Sequence, residues 1–301
     1  MAANDLFKSG LSGVFRIVHI SDLHFWHLPG NPLVWRGKRL LGLANLLLRR
    51  ARKFRLEAAP QLVEEIHKDQ PDHLVVSGDI STTSLNLEFQ AFRQMFSDWL
   101  ESPGKITLVA GNHDRYTRRV MREKLFEKTF SDILDPDSGS RIRLIQPGLG
   151  LATFDPCVPR PISARGFVDP FQLRLLEESI RSCDWSSLRA LLFVCHYPAE
   201  VPLQHADHQK GHGLVGAEGI LKVLQGVPVP ICWLHGHIHH PWRFFSPSIP
   251  NLTYYNPGSP LQRRSQGISL GRWVLDWDGQ RIHSEWRSLP AASAWFEASK
   301  E

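Results

Sequence analysis

Five times along this chain a short run of β-branched and aliphatic residues stops at a loop carrying Asp, Asn or His. Phe15–Ile20 leads into Ser21-Asp22-Leu23-His24, and His73–Ser77 into Gly78-Asp79. Ile106–Val109 leads into Gly111-Asn112-His113-Asp114, Ala190–Cys195 into His196, and Pro230–Leu234 into Gly236-His237-Ile238-His239. Such runs predict strands. Helical periodicity fills much of the space between them, over 38–54, 60–69, 86–100, 117–129 and 170–182. Strand, polar loop, helix is α/β logic, and it gathers functional groups at the carboxyl ends of strands. Segments 252–256, 271–277 and 280–286 predict further strands, so the chain beyond about residue 140 is richer in strands. A two-sheet α/β sandwich is therefore expected rather than a single open sheet. It would form one domain over 1–301, with a basic, apolar helical insertion at about 36–58.

The loop residues make sense as a set. Carboxylates and imidazoles suit manganese, iron, zinc or cobalt, and an Asn carbonyl adds a neutral hard donor. One carboxylate can bridge two ions. In an extended segment, alternate residues point the same way, so both members of Asp22-x-His24 and of His237-x-His239 can reach one site. Singly these pieces are ordinary: Gly-Asp is a common turn, and Asn-His-Asp after Gly is a plausible Asx turn. Five of them in series, each after a strand, predict a dinuclear centre built from Asp22, His24, Asp79, Asn112, His196, His237 and His239. Two ions about 3.5–4 Å apart clamp a phosphoryl oxygen and activate a water for in-line attack. The remaining histidines, including His19, His27, His67, His73, His205, His208, His212 and His240, lack this support and are expected to be structural or solvent-facing.

In order and spacing these blocks resemble the calcineurin-like metallophosphoesterases, whose signature is D-x-H, GD, GNH(E/D), a lone H and GHxH. The resemblance spans residues 22–239, no ligand position departs from it, and the fold it implies is a four-layer α/β/β/α sandwich of two mixed sheets flanked by helices. It implies that Asp22, His24 and His239 hold one ion and Asn112, His196 and His237 the other, with Asp79 between them. It also implies that His113 is the acid that protonates the leaving oxygen, with Asp114 orienting it. Manganese is the expected ion, with iron, zinc, cobalt or magnesium as alternatives.

Residues 36–55, RGKRLLGLANLLLRRARKFR, hold eight Lys or Arg and no acidic residue. Leu40, Leu43 and Leu47 can share a helical face, the pattern of a helix that lies on an anionic membrane or flanks a lipid groove. A buried core helix with solvated basic ends is the alternative. With GDISTTSLNLEF and GNHDRYTRR, this insertion resembles the UDP-2,3-diacylglucosamine pyrophosphatase branch, which gives UMP and an acylated sugar phosphate in lipid A synthesis. That resemblance implies a nucleotide-linked acylated sugar as substrate. Ser81, Thr82, Thr83, Arg115, Tyr116, Arg118 and Arg119 become candidate headgroup contacts, and Leu43 and Leu47 candidate acyl contacts. A cyclic nucleotide phosphodiesterase shares the same five blocks.

The net charge of +5 and pI of about 9.1 favour anionic ligands without choosing among them. The positive charge sits beside leucines rather than in an aromatic-interleaved stripe, so no stable nucleic-acid partner is expected. The cysteines, Cys157, Cys183, Cys195 and Cys232, form no CxxC pair. With no signal-peptide pattern, they point to reduced thiols in the cytoplasm, at the inner face of its membrane if the basic segment binds lipid.

Overall fold

In the computed structural model, residues 13–28, 54–134, 140–160, 163–263 and 270–290 are described. Strands are numbered along the chain. Among the described residues one sheet contains β1 (Phe15–Ile20), β2 (His73–Val76), β3 (Ile106–Leu108), β12 (Gly271–Trp277) and β13 (Ile282–Ser288), in the order β13-β12-β1-β2-β3. The second contains β4 (Arg143–Gln146), β5 (Leu149–Phe154), β7 (Ala190–Cys195), β9 (Ile231–Leu234), β10 (Pro241–Phe245) and β11 (Leu252–Pro257), in the order β10-β11-β9-β7-β5-β4. A small sheet pairs β6 (Gly166–Phe167) with β8 (Leu214–Val215). The parallel strands are β1, β2 and β3 in one sheet, with β3 at its edge, and β5, β7, β9 and β11 in the interior of the other; β12 and β13, and β4 and β10, are added antiparallel.

Strand periodicity builds the layers. Ile17, Val75, Leu192, Val194, Cys232 and Leu234 meet in the core between the two sheets. Their neighbours in sequence, Val18, Leu74, Val76, Phe193, Cys195 and Trp233, face outward into two further cores. Strands buried on both faces read as continuous apolar runs rather than alternating ones, which is why these segments stand out in the sequence.

The outer core of the first sheet is closed by α1 (Ala59–Asp69) and α2 (Asn86–Met95), through Leu62, Ile66, Phe89 and Phe92. Then come α3 (Ser97–Leu100), α4 (Arg118–Glu123) and α5 (Leu125–Thr129). The second sheet is covered by α6 (Pro170–Ser182) and α8 (Ala217–Leu224), through Leu176, Ile180, Ile220 and Leu224, with α7 (Ala206–His212) between them in sequence. The expected four-layer arrangement is thus present. Asp69, at the end of α1, binds Arg272 of β12 and, at 2.7 Å, Arg287 of β13, tying the late strands to an early helix.

Several local expectations need correction. The 86–100 helix is two, because Phe96 leaves helical geometry with φ −111°. The 117–129 helix breaks where Lys124 takes a left-handed φ of 51°. Strands β4, β5 and β10 were not anticipated. The helix expected over 38–54 lies outside the described residues except for Phe54, which is not helical: it forms an antiparallel bridge with Gln262. His19 and His73 are buried, bonded to Ser77 Oγ and Thr107 Oγ1 respectively at 2.8 Å, in keeping with structural roles. Cys157, Cys195 and Cys232 are buried free thiols and Cys183 is partly buried. Among the described residues, no helix is long and apolar enough to cross a membrane.

Candidate metal centre

All five polar loops leave parallel strands at the same end of the sandwich. β1, β2 and β3 deliver Asp22, His24, Asp79 and Asn112; β7 and β9 deliver His196, His237 and His239. The first sheet therefore supplies the carboxylates and the amide, and the second supplies most of the imidazoles. Asp22, His24, Asp79 and His237 all hold left-handed φ values of 51–71°. Such conformations are unfavourable for residues with a Cβ and persist where surrounding structure over-determines them. Here the loops interlock: the Asp22 amide donates to Gly78 O at 3.0 Å, and the His24 amide to Asp79 O at 3.0 Å. The His237 amide donates to Asp22 Oδ2 at 3.0 Å. Gly236 sits so close that a Cβ there would lie 1.9 Å from Ser21 Oγ and 2.3 Å from Asp22 Oδ2.

Two donor clusters result, sharing Asp79. One is Asp22, His24, Asp79 and His239; the other is Asp79, His196 and His237; within each, the ligand atoms lie within 4.8 Å of one another. His24 Nε2 stands 3.1 Å from His239 Nε2 and 3.7 Å from Asp79 Oδ2. His196 Nε2 stands 3.5 Å from Asp79 Oδ1. The carboxylate of Asp79 thus turns one oxygen to each cluster.

The donors fit divalent cations. The buried Oδ1 of Asn112 and Nε2 of His196 have no hydrogen-bond partner among the described residues, a costly condition that a cation relieves. His196 Nδ1 donates to Ser77 O at 2.7 Å and His237 Nε2 to His212 O at 2.9 Å. Each bond fixes the tautomer that leaves the other nitrogen free to ligate. Burial pushes the His196 pKa down, but the carboxylates of Asp79 and Asp22 outweigh it and raise it to about 9. Burial would raise Asp79; the imidazoles of His196, His113 and His24 instead hold it well below the usual carboxylate range.

His113 lies beside the first cluster, its ring 5.0 Å from that of His24 and stacked on Tyr116 at 5.4 Å. Its Nδ1 donates to Thr82 O at 2.8 Å, and its amide to Asp79 Oδ1 at 2.7 Å. The buried carboxylate of Asp114 accepts from the amides of Ile80, Ser81 and Gly111 and from Ser81 Oγ, at 2.8–3.2 Å. Asp114 binds the Asp79 loop to the Asn112 loop, and Thr82 O orients the acid candidate.

The expected headgroup contacts divide. Ser81, Thr82 and Thr83 are buried, and their hydroxyls donate to Asp114 Oδ1, His24 O and Glu88 Oε1 at 2.8–3.0 Å. They brace the loops. Arg115 is largely buried between Glu127 and Asp155. Arg119 pairs with Glu123 on an exposed helical turn at 2.8 Å. Tyr116, stacked on His113, is partly exposed, and Arg118 is exposed. Leu43 and Leu47 lie outside the described residues.

Sequence reasoning missed Asn256 and Ser259. Asn256 Nδ2 donates to Ile238 O at 2.8 Å, and Ser259 Oγ to Asp22 O at 2.6 Å. Their signal was present, since NPGS ends β11 and opens another polar loop at a strand carboxyl end.

Fold and donor set together define a dinuclear metallohydrolase. The calcineurin-like phosphoesterase family model matches residues 15–241, and the chain belongs to that family. The fold is shared with a dimetal phosphatase from Danio rerio, at 14% identity and a TM-score of 0.61, covering 91% of this chain and 96% of that one. It is also shared with purple acid phosphatase PPD1 from yellow lupin (Lupinus luteus) seeds, at 12% identity and a TM-score of 0.59, covering 93% of this chain and 52% of that one. No curated protein sequence matches significantly. The chain is a metal-dependent phosphoester hydrolase with a dinuclear divalent site.

Proposed function

We propose that this hydrolase cleaves the pyrophosphate of a nucleotide-linked, diacylated sugar, with UDP-2,3-diacylglucosamine as the candidate, to give UMP and 2,3-diacylglucosamine 1-phosphate. The observation that supports it is the position of Phe54 and Arg55, the described end of the basic, leucine-rich stretch 36–55. Its last two residues end at the metal centre: the Phe54 ring lies 4.6 Å from that of His24, and the Arg55 amide donates to Leu261 O at 2.8 Å. A segment suited to acyl chains and anionic headgroups is thus joined directly to the catalytic rim. The neighbours of known structure named above are phosphatases, in keeping with phosphoryl chemistry.

Two divalent ions, held by Asp22, His24 and His239 and by Asn112, His196 and His237 with Asp79 between, supply Lewis acidity and an activated water when bound. The chain's own groups do the rest. Asp79 and Asn112, locked by the interloop hydrogen bonds, fix the donor positions. Thr82 O engages Nδ1–H of His113, so the ring's other nitrogen is the one that carries a proton to the leaving phosphate oxygen. Water adds across the P–O–P bridge, its OH to the attacked phosphorus and its proton to the departing phosphate.

Rates on UDP-2,3-diacylglucosamine, cyclic AMP and an aryl phosphodiester test the reading, with the diacylated substrate expected to lead. A higher specificity constant for cyclic AMP would replace it with a cyclic nucleotide phosphodiesterase. Leu43→Ser with Leu47→Ser should raise KM for the acylated substrate and spare the aryl diester. Arg49→Gln with Arg50→Gln should weaken binding to anionic liposomes at the cytoplasmic membrane face, most visibly at low salt.

A further inference from the structure

The second cluster's imidazoles are oriented by carbonyls, Ser77 O for His196 and His212 O for His237. Beside the first cluster stands a hydrocarbon wall. The Phe54 ring is 2% exposed and lies 4.6 Å from the His24 ring at 45° and 5.8 Å from the His239 ring at 73°. It therefore touches the two imidazoles whose Nε2 atoms converge at 3.1 Å. Nothing on a phenyl ring can ligate a cation. What it can do is limit the planes those imidazoles adopt.

Phe54 is itself held from below. It bridges to Gln262, and the Arg55 amide bonds Leu261 O at 2.8 Å. The Gln262 amide returns to Ser259 O at 3.1 Å, and Ser259 Oγ donates to Asp22 O at 2.6 Å. One strap, residues 259–262, thus grips both the backbone of the ligand Asp22 and the backbone of the residue that walls His24 and His239. All three protein ligands particular to the first cluster converge on this unit.

We propose that Phe54 is a positioning residue for one half of the dinuclear centre. It presets His24 and His239 for the ion they share with Asp22 and leaves the ion at Asn112, His196 and His237 untouched. The inference rests on the dinuclear reading. Groups that orient metal ligands typically contribute roughly 10- to 100-fold in affinity, and Phe54→Ala should weaken one ion by that factor and the other not at all.

The experiment is a Mn titration of the full chain, stripped by chelator and followed by competition with a chromophoric chelator. The parent should take up two ions. Phe54→Ala should keep one at parental affinity and lose the other by the factor above. Phe54→Tyr, which restores the flat face, should recover it, and Phe54→Leu should recover it only partly. Should Phe54→Ala fail to fold by circular dichroism, the Leu and Tyr variants carry the comparison. In a His196→Ala background the Phe54 change should weaken the remaining ion further, whereas in a His24→Ala background it should add nothing. Equal weakening of both ions, or unchanged isotherms beside a parent that binds two, overturns the inference alone. A parent that binds fewer than two ions overturns the dinuclear reading and this inference with it.

Discussion

An alanine at position 111 would place its Cβ 2.1 Å from Oδ1 of Asp79, 2.2 Å from the Asp79 amide nitrogen and 2.7 Å from Asp79 Cγ. Real Cβ contacts essentially never fall below 3.0 Å, so the Asn112 loop and the Asp79 loop must part by roughly 1 Å, a displacement that costs on the order of 10²-fold when it reaches reacting groups. Neither side has an easy escape. Asp79 is pinned at a φ of 51°, and the Gly111 amide is bonded to Asp114 Oδ2 at 2.8 Å. The movement also breaks the bond from the His113 amide to Asp79 Oδ1, 2.7 Å long. Gly111→Ala is therefore expected to lower kcat/KM on an aryl phosphodiester by about 10²–10³-fold. Overpacking of this kind costs about 1–3 kcal/mol, so melting should fall by roughly 2–10 °C while the fold survives. Gly104→Ala is the control, because a Cβ there meets nothing within 4 Å; it should be neutral in both assays. A Gly111→Ala enzyme with parental activity and metal content would refute the claim that these two loops touch without slack.

Dialysis against a chelator should abolish hydrolysis, and Mn should restore it better than Ca, which prefers larger all-oxygen shells; Asp79→Ala should lose both ions, read by metal analysis, because its oxygens face both clusters. His113→Ala should keep both ions yet lose about 10²–10⁴-fold in rate. That loss should shrink for substrates with good leaving groups, and an equal loss across leaving groups would point to positioning instead. Burial pushes the Glu88 carboxyl up from 4.5 to about 7, against hydrogen bonds from Leu85 and Thr83. The folded state therefore holds this proton where the unfolded chain has released it, and the group's contribution to stability falls as pH rises from about 4.5 to 7, by about 3 kcal/mol in all. Melting of Glu88→Gln should decline less over that interval than the parent's; parallel pH profiles would show that Glu88 is ionised in the fold.

The metal centre was legible because its residues sit one to five positions beyond strands buried on both faces, where apolar runs are unmistakable. The work of Ser81, Thr82 and Thr83 was not. Their hydroxyls answer to Asp114, His24 and Glu88, and two of these partners lie more than thirty residues away in sequence, so the run reads equally well as a headgroup site or a helix cap. The setting of Asp114 was hidden for the same reason: three of its four donors, from Ile80 and Ser81, arrive from the Asp79 loop, more than thirty residues away. The helix breaks at Phe96 and Lys124 were hidden because tertiary packing, not a Gly or Pro, sets them. Strand β10 was hidden because its burial is irregular along its length.

The order in which the sandwich is threaded has a consequence for how it is made. β1 pairs on one side with β2 and on the other with β12, which begins at Gly271. At synthesis rates of about 5–20 residues per second, the roughly 160 residues between β3 and β12 take on the order of 10–30 s to emerge. Throughout that interval β1 presents an open hydrogen-bonding edge, the kind of surface that recruits strands from other chains. Asp22, Asp79 and Asn112 likewise wait for the imidazoles of His196, His237 and His239. The nascent chain can hold no complete ion site until β9 and its loop have left the ribosome, so loading is a late event in its biogenesis. The period before loading is when the chain is most open to pairing with its neighbours on the same message.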